Sequence, residues 1–150
     1  MPQSLSQIYI HLVFGTKNRA PFLDPAIRPR LYAYTAGVLN NLGCVPMEVG
    51  GFIDHIHILC SLSRILSPAK LVEEVKKPTS KWLKTQGESF SDFHWQGGYG
   101  AFSVSRSNVN EVREYIMKQD EHHRSMDFQE EFRRLLKAHG VEFDERYVWD

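Results

Sequence analysis

Four alternating segments and two helical ones, in the order strand, helix, strand, strand, helix, strand, predict an α+β fold. That order is the split βαβ pattern of a ferredoxin-like (RRM-like) antiparallel sheet, and two later helical patterns predict additional C-terminal helices. With 150 residues the chain is near the common size of one domain, and it can bury roughly 70% of its unfolded surface. Residues 1–150 are therefore read as one domain.

The first strand is Gln7 to Phe14, with Ile8, Ile10, Leu12 and Phe14 on one face and Tyr9, His11 and Val13 on the other, as in a half-buried strand. Thr16 to Pro25 reads as a loop. A helix follows from about Ile27 to Leu42, carrying Leu31, Tyr34, Val38 and Leu42 at spacings of three and four, and Gly43 suits its stop. Val45 to Ile53 and His55 to Leu62 form an antiparallel hairpin about Asp54. Ser67 and Pro68 make a cap and first turn for a second helix through Trp82, which Pro78 is expected to kink or end. After the loop His94 to Gly98, Tyr99 to Ser105 is the fourth strand. Asn108 and Glu111 have capping-box spacing for a third helix to about Arg124, and a last helix spans Phe128 to Ala138, before His139 and Gly140.

Composition narrows the function classes. Formal charge is zero, which argues against a protein that coats nucleic acid by bulk attraction. The distribution is uneven, because Arg64, Lys70, Lys76, Lys77, Lys81 and Lys84 face only Glu73 and Glu74 over that stretch. A local phosphate-binding face and a solvated helix surface both fit it. Cys44 and Cys60 lack zinc-knuckle spacing and are too few for a disulfide scaffold, so both are read as buried thiols. No basic leader precedes the first apolar run and no stretch is long enough to span a membrane, which places the chain in the cytoplasm.

Chemistry concentrates in two places. In Asp54-His55-Ile56-His57-Ile58-Leu59, residues two apart on a strand share a face about 7 Å apart, so both imidazoles project together while Ile56 and Ile58 face the core. In the third helix, Val109, Val112 and Ile116 form the apolar stripe, and Tyr115, Gln119 and His122 fall on a strip beside it. Each signal has an ordinary structural explanation: histidines on a solvent face, and a tyrosine bonded to the amide one turn on. Together they fit one reaction. A phenol of pKa about 10 is a poor nucleophile, so phosphodiester cleavage by tyrosine calls for a cation at the phosphate. Two imidazoles and an amide oxygen leave coordination positions open for Mg²⁺ or Mn²⁺, with the nitrogen ligands favouring Mn²⁺.

His55-Ile56-His57, with Tyr115 and Gln119 on a later helix, resembles the single-tyrosine HUH transposases, enzymes of bacterial and archaeal insertion sequences that move as single-stranded DNA. His11 to Lys17, Gly50 to Asp54 and Trp95 to Ser103 extend the resemblance over nearly the whole chain. It implies His55, His57 and Gln119 as metal ligands and Tyr115 as the nucleophile, forming a 5′-phosphotyrosine link and a free 3′-hydroxyl. It also implies single-stranded DNA with hairpins at the element ends, no ATP, and a homodimer whose active sites can be shared between subunits. His122 is a candidate supporting residue, and His123 rejoins the apolar stripe as a packing residue. Lys17, Arg19 and Lys81 are candidate DNA contacts.

Read from the residues alone, two other functions remain open. One is a metal-dependent phosphodiesterase that uses water. The other is a non-catalytic single-stranded nucleic-acid-binding protein that stacks bases on Trp95, Tyr99 or Phe102, although core packing is the better account of those aromatics.

Overall fold

A computed structural model describes residues 2–150. Four strands, β1 (Tyr9–Gly15), β2 (Pro46–Gly51), β3 (His55–Ser61) and β4 (Gly100–Val104), form one sheet in the order β2-β3-β1-β4. Every neighbouring pair is antiparallel, which is the ferredoxin-like arrangement expected from the element order. Helices α1 (Arg28–Asn41) and α2 (Pro68–Lys84) make the two crossovers; α3 (Val109–Met117), α4 (Gln119–His122) and α5 (Phe128–Ala138) follow the last strand.

The sheet is covered on both faces. Ile10, Leu12 and Phe14 of β1 and Ile56, Ile58 and Cys60 of β3 pack with Leu31 and Leu39 of α1 and Leu71, Val75 and Leu83 of α2. On the opposite face, Val13 and Phe102 meet Phe128, Phe132 and Leu136 of α5, while Leu59 meets Val109 and Ile116 of α3. The expected half-buried first strand is therefore buried at six of its seven positions, because the C-terminal helices roof the face carrying His11, His55 and His57. Ile8, placed on the core face by alternation, precedes β1 and is exposed.

Local signals explain the element boundaries. Asp24 accepts hydrogen bonds from the amides of Ala26 and Ile27 at 3.0 Å, just ahead of α1, and Gly43 ends the helix region with φ of 74°. Ser67 caps α2 by accepting from the Lys70 amide at 3.0 Å, with Pro68 in the first turn. The proline expected to kink or end this helix does not stop it: α2 runs past Pro78 to Lys84. Buried Leu83 anchors the later turns, and Thr79 fastens them by donating to the Val75 carbonyl at 2.7 Å and accepting from the Trp95 indole at 3.0 Å.

The third predicted helix differs more. Asn108 makes no capping bond and lies in a 3-10 turn, and the helix breaks at Lys118, where φ is −99° and ψ is 24°, giving α3 and the short α4. The last helix has the predicted bounds and is capped by Asp127, which accepts from the Glu130 amide at 2.8 Å. Glycines admit these helices to the sheet. A Cβ at Gly50 would lie 2.7 Å from Ile116 Cγ2, and one at Gly100 would lie 2.6 Å from a Phe132 ring carbon.

Candidate active site

Strand β3 turns His55 and His57 to one face, as alternation requires, with ring centroids 5.1 Å apart. Both are wholly buried. The α3–α5 layer closes over them and brings a carboxylate between them: Glu131 Oε1 lies 3.2 Å from His55 Nε2 and 3.2 Å from His57 Nε2. Tyr115, on α3, donates its hydroxyl to Glu131 Oε2, and Gln119 donates its amide to the same oxygen at 2.8 Å. The Gln119 carbonyl oxygen lies 2.9 Å from His55 Nε2. Tyr115, Gln119, His55 and His57 thus meet around one carboxylate within a single chain.

Neighbours fix these groups. Asp54 Oδ1 holds His55 Nδ1 at 2.8 Å, and the Phe128 ring stacks on His55 at 4.3 Å. His57 Nδ1 faces His11 Nε2 at 2.9 Å. His123 Nε2 lies 3.0 Å from Glu131 Oε1 and 3.1 Å from Gln119 Oε1, with its ring against Phe52. His122 does not join the cluster's hydrogen bonds. It stands against the Tyr115 ring at 4.6 Å, and its Nε2 is buried without a partner among the described residues.

The charge pattern follows from burial and pairing. Burial opposes protonation of His55, but hydrogen bonds to Asp54 and Glu131 outweigh it and raise its pKa to about 9. Burial dominates at His57, and the nearby Glu131 only partly offsets it, so its pKa is lowered. Burial also opposes ionisation of Glu131, yet the His57 ring and the hydrogen bonds from His123, His55 and His57 hold it far below the usual carboxylate range. Tyr115 is pushed above its ordinary value, first by burial and then by the Glu131 charge.

The donor set suits a divalent ion. One ligand atom from each of His55, His57 and Glu131 lies within 4.8 Å of the others. An octahedron with bonds of about 2.1 Å has edges of about 3 Å, and the 2.9 and 3.2 Å spacings among His55, His57, Gln119 and Glu131 match that scale. Imidazole and carboxylate are accepted together by Mn²⁺, Fe²⁺ or Zn²⁺.

The candidate DNA contacts lie apart from this cluster. Lys17 and Arg19 form a 3-10 turn beyond β1, and Arg19 is 3.8 Å from Asp127. Lys81 is exposed on α2, in the layer on the other side of the sheet, beside Lys77 and Lys84. Lys76 is engaged elsewhere, donating to the carbonyls of Gln96 at 2.7 Å and Gly98 at 2.8 Å, and burial lowers its pKa to about 8. Trp95 and Phe102 are buried, as core packing requires, leaving Tyr99 as the exposed member of the three aromatics considered for base stacking.

Sequence reasoning missed Glu131. A signal existed: Phe128, Phe132, Leu135 and Leu136 define the inward face of α5, and Glu131 falls in its middle, where a carboxylate needs partners. His11 was placed on the correct face of β1 without a role, and His123 was assigned to packing.

Three comparisons place the chain among known proteins. No curated protein matches it. Among solved structures, it is similar to a candidate transposase from Deinococcus radiodurans R1, with TM-score 0.61 and 16% identity over 79% of this chain and 98% of that one. It is also similar to a REP-associated tyrosine transposase bound to a REP hairpin, with TM-score 0.59 and 12% identity over 82% of this chain and 72% of that one. Those identities speak to the fold. The family model of IS200-like transposases matches residues 4–119, from the segment before β1 to Gln119, and by that match the chain belongs to the IS200-like, single-tyrosine HUH family of transposases.

Proposed function

We propose that this transposase cleaves and rejoins single-stranded DNA with Tyr115 as nucleophile. The observation that carries this reading is the meeting of the Tyr115 hydroxyl, the Gln119 amide and the His55–His57 pair on Glu131. The phenolic oxygen would form a bond to phosphorus while the bond to the 3′ oxygen breaks, leaving a 5′-phosphotyrosine and a 3′-hydroxyl. Attack by a second strand's 3′-hydroxyl reverses the exchange, so one phosphodiester replaces another.

His55, His57 and Glu131, with Gln119 Oε1 alongside His55, would hold the ion, for which Mn²⁺ or Mg²⁺ is the proposed identity. A bound divalent ion supplies Lewis-acid stabilisation of charge developing on the phosphate. The chain's own residues do the positioning. Glu131 Oε2 receives the Tyr115 hydrogen bond and orients the phenol, and Gln119 bridges that oxygen to His55. The layer of α3–α5 excludes water from the imidazoles.

A hairpin in single-stranded DNA is the proposed substrate, supported by family membership and by the REP hairpin bound to the similar tyrosine transposase. Because one chain contributes both the imidazole pair and the tyrosine, the proposed site is completed without exchange between subunits. A homodimer remains compatible with it. Among the described residues no helix is long and apolar enough to cross a membrane.

Incubation with single-stranded fragments from the flanks of the protein's own gene, with Mn²⁺ or Mg²⁺, should give a DNA-linked protein band on a denaturing gel. Cleavage without any such band, retained by Tyr115→Phe, would instead indicate a hydrolase using water. Binding unaffected by chelator, with no cleavage under any divalent ion, would indicate a binding protein.

A further inference from the structure

The two imidazoles of β3 are backed differently. His55 Nδ1 faces the carboxylate of Asp54, whereas His57 Nδ1 faces a second imidazole, His11 Nε2, at 2.9 Å. Val13 is the register partner of His57, and His11 lies two residues before it on the central strand. The rings are therefore diagonal neighbours on one face, with centroids 5.1 Å apart and planes inclined by 26°. His11 is 3% exposed and His57 is 0% exposed, so water does not compete for this hydrogen bond.

A neutral imidazole carries one proton, and only its other nitrogen can accept a hydrogen bond or ligate a cation. When two neutral rings share one hydrogen bond, the side that donates determines which nitrogen remains free. We infer that His11 is a positioning residue: with an ion in the site its Nε2 accepts the Nδ1 proton of His57, holding His57 in the tautomer whose Nε2 lone pair is free for that ion. This inference rests on the metal-assisted reading above.

The surroundings support that direction. Glu131 Oε1 is approached by His123 Nε2 at 3.0 Å and by both His55 Nε2 and His57 Nε2 at 3.2 Å; an ion taken up among these groups would displace the Nε2 proton of His57, and the neutral ring would then carry its proton on Nδ1, opposite His11. The facing nitrogens, 2.9 Å apart, leave room for a single proton between them. His11 is itself held edge-on between Phe102, at 6.2 Å, and Tyr115, at 6.3 Å. Ligating histidines generally donate their other N–H to a fixed acceptor; Asp54 fills that role for His55, and His11 fills it for His57.

Long-range proton–nitrogen spectra of histidine-labelled wild type loaded with diamagnetic Mg²⁺ or Zn²⁺ should find the His57 proton on Nδ1; a His57 Nδ1 without a proton in the loaded protein would overturn the inference without any variant. In titration calorimetry, His11→Phe should weaken Mn²⁺ binding on the order of 10- to 100-fold. His11→Gln, whose terminal amide can place an acceptor at the same point, should restore most of that loss. In a His57→Ala background, His11→Phe should cause no further loss, an outcome that packing damage would not give. Wild-type affinity in a folded His11→Phe protein, or equal losses in both backgrounds, would overturn the role of His11 alone. Failure of wild type to bind Mn²⁺ would overturn the metal-assisted reading and this inference with it.

Discussion

Tyr115 and Glu131 are joined by a hydrogen bond from phenol to carboxylate, although they lie on different helices of the roof over the sheet. The same carboxylate touches both imidazoles of β3 through its other oxygen. The proposed nucleophile and the two imidazoles proposed as metal donors are thus positioned by one side chain that belongs to neither β3 nor α3.

Removal of the hydroxyl alone separates chemistry from folding. Tyr115→Phe should abolish the covalent DNA adduct and strand cleavage. Loss of a donor to the buried Glu131 charge should lower unfolding free energy by about 1 to 3 kcal/mol, while the ring keeps its packing against His122. A denaturing gel and a chemical melt measure the two effects. Retained cleavage in this variant would remove Tyr115 from the reaction.

Metal loading should release protons. A His55 with pKa of about 9 is largely protonated at pH 7, and it must lose its Nε2 proton to become a ligand. Calorimetry with Mn²⁺ in two buffers of different ionisation enthalpy should therefore report release of about one proton per ion. Chelator should stop cleavage, and added Mn²⁺ should restore it. At free metal 100-fold above Kd, stability should rise by about 2.7 kcal/mol. Glu131→Gln, which removes the carboxylate ligand, should weaken this stabilisation more than Gln119→Ala.

Without metal, the same histidine makes stability depend on pH. The folded-state pKa of His55 is raised from 6.5 to about 9, so its contribution is fully present below pH 6.5 and is lost as pH rises through 9. The shift corresponds to about 3 kcal/mol at most. His57 works in the opposite sense: its lowered pKa makes stability fall as pH drops below the unfolded value of 6.5. Chemical unfolding in chelator should show decreasing stability from pH 6.5 to 9, and His55→Gln should flatten that limb. An equally steep decline in His55→Gln would assign it to another group.

The fold was legible because its signals are local. Alternation placed His55 and His57 on one face, Ser67 and Pro68 marked the start of α2, and the apolar face that opens at Phe128 and stops before Gly140 set the bounds of the last helix. Tyr115 and Gln119 were legible as a pair because they are one turn apart, and they still converge across the break at Lys118. His123 was not, since a count of 100° per residue fails beyond that break, which swings its ring from the apolar stripe into the cluster. Glu131 is separated by 74 residues from His57, and no local pattern states which strand an inward-facing carboxylate will meet. The burial of His11 depends equally on the tertiary roof.

Surface charge gives a separate test of the proposed DNA contacts. If Lys77, Lys81 and Lys84 of α2 neutralise phosphates, replacing all three by alanine should weaken binding of a single-stranded hairpin. The slope of log affinity against log salt should become shallower by roughly 0.7 to 0.9 for each phosphate that is no longer neutralised. An unchanged slope would mark this face as merely solvated, and the same measurement on Lys17→Ala and Arg19→Ala would test the turn beyond β1.

Gly50 tests whether close docking of α3 matters to chemistry. It pairs with His57 across β2 and β3, and a Cβ there would lie 2.7 Å from Ile116 Cγ2 and 2.8 Å from the Ile116 carbonyl oxygen. The carbonyl belongs to the helix backbone, so side-chain rotation cannot relieve the clash; α3 must shift and carry Tyr115, one residue away, with it. A displacement near 1 Å can cost on the order of 100-fold in rate. Gly50→Ala should therefore slow adduct formation far more than it weakens Mn²⁺ binding, because His55, His57 and Glu131 lie on β3 and α5. Equal losses in both would mean that the substitution disrupts the sheet rather than the approach of the tyrosine.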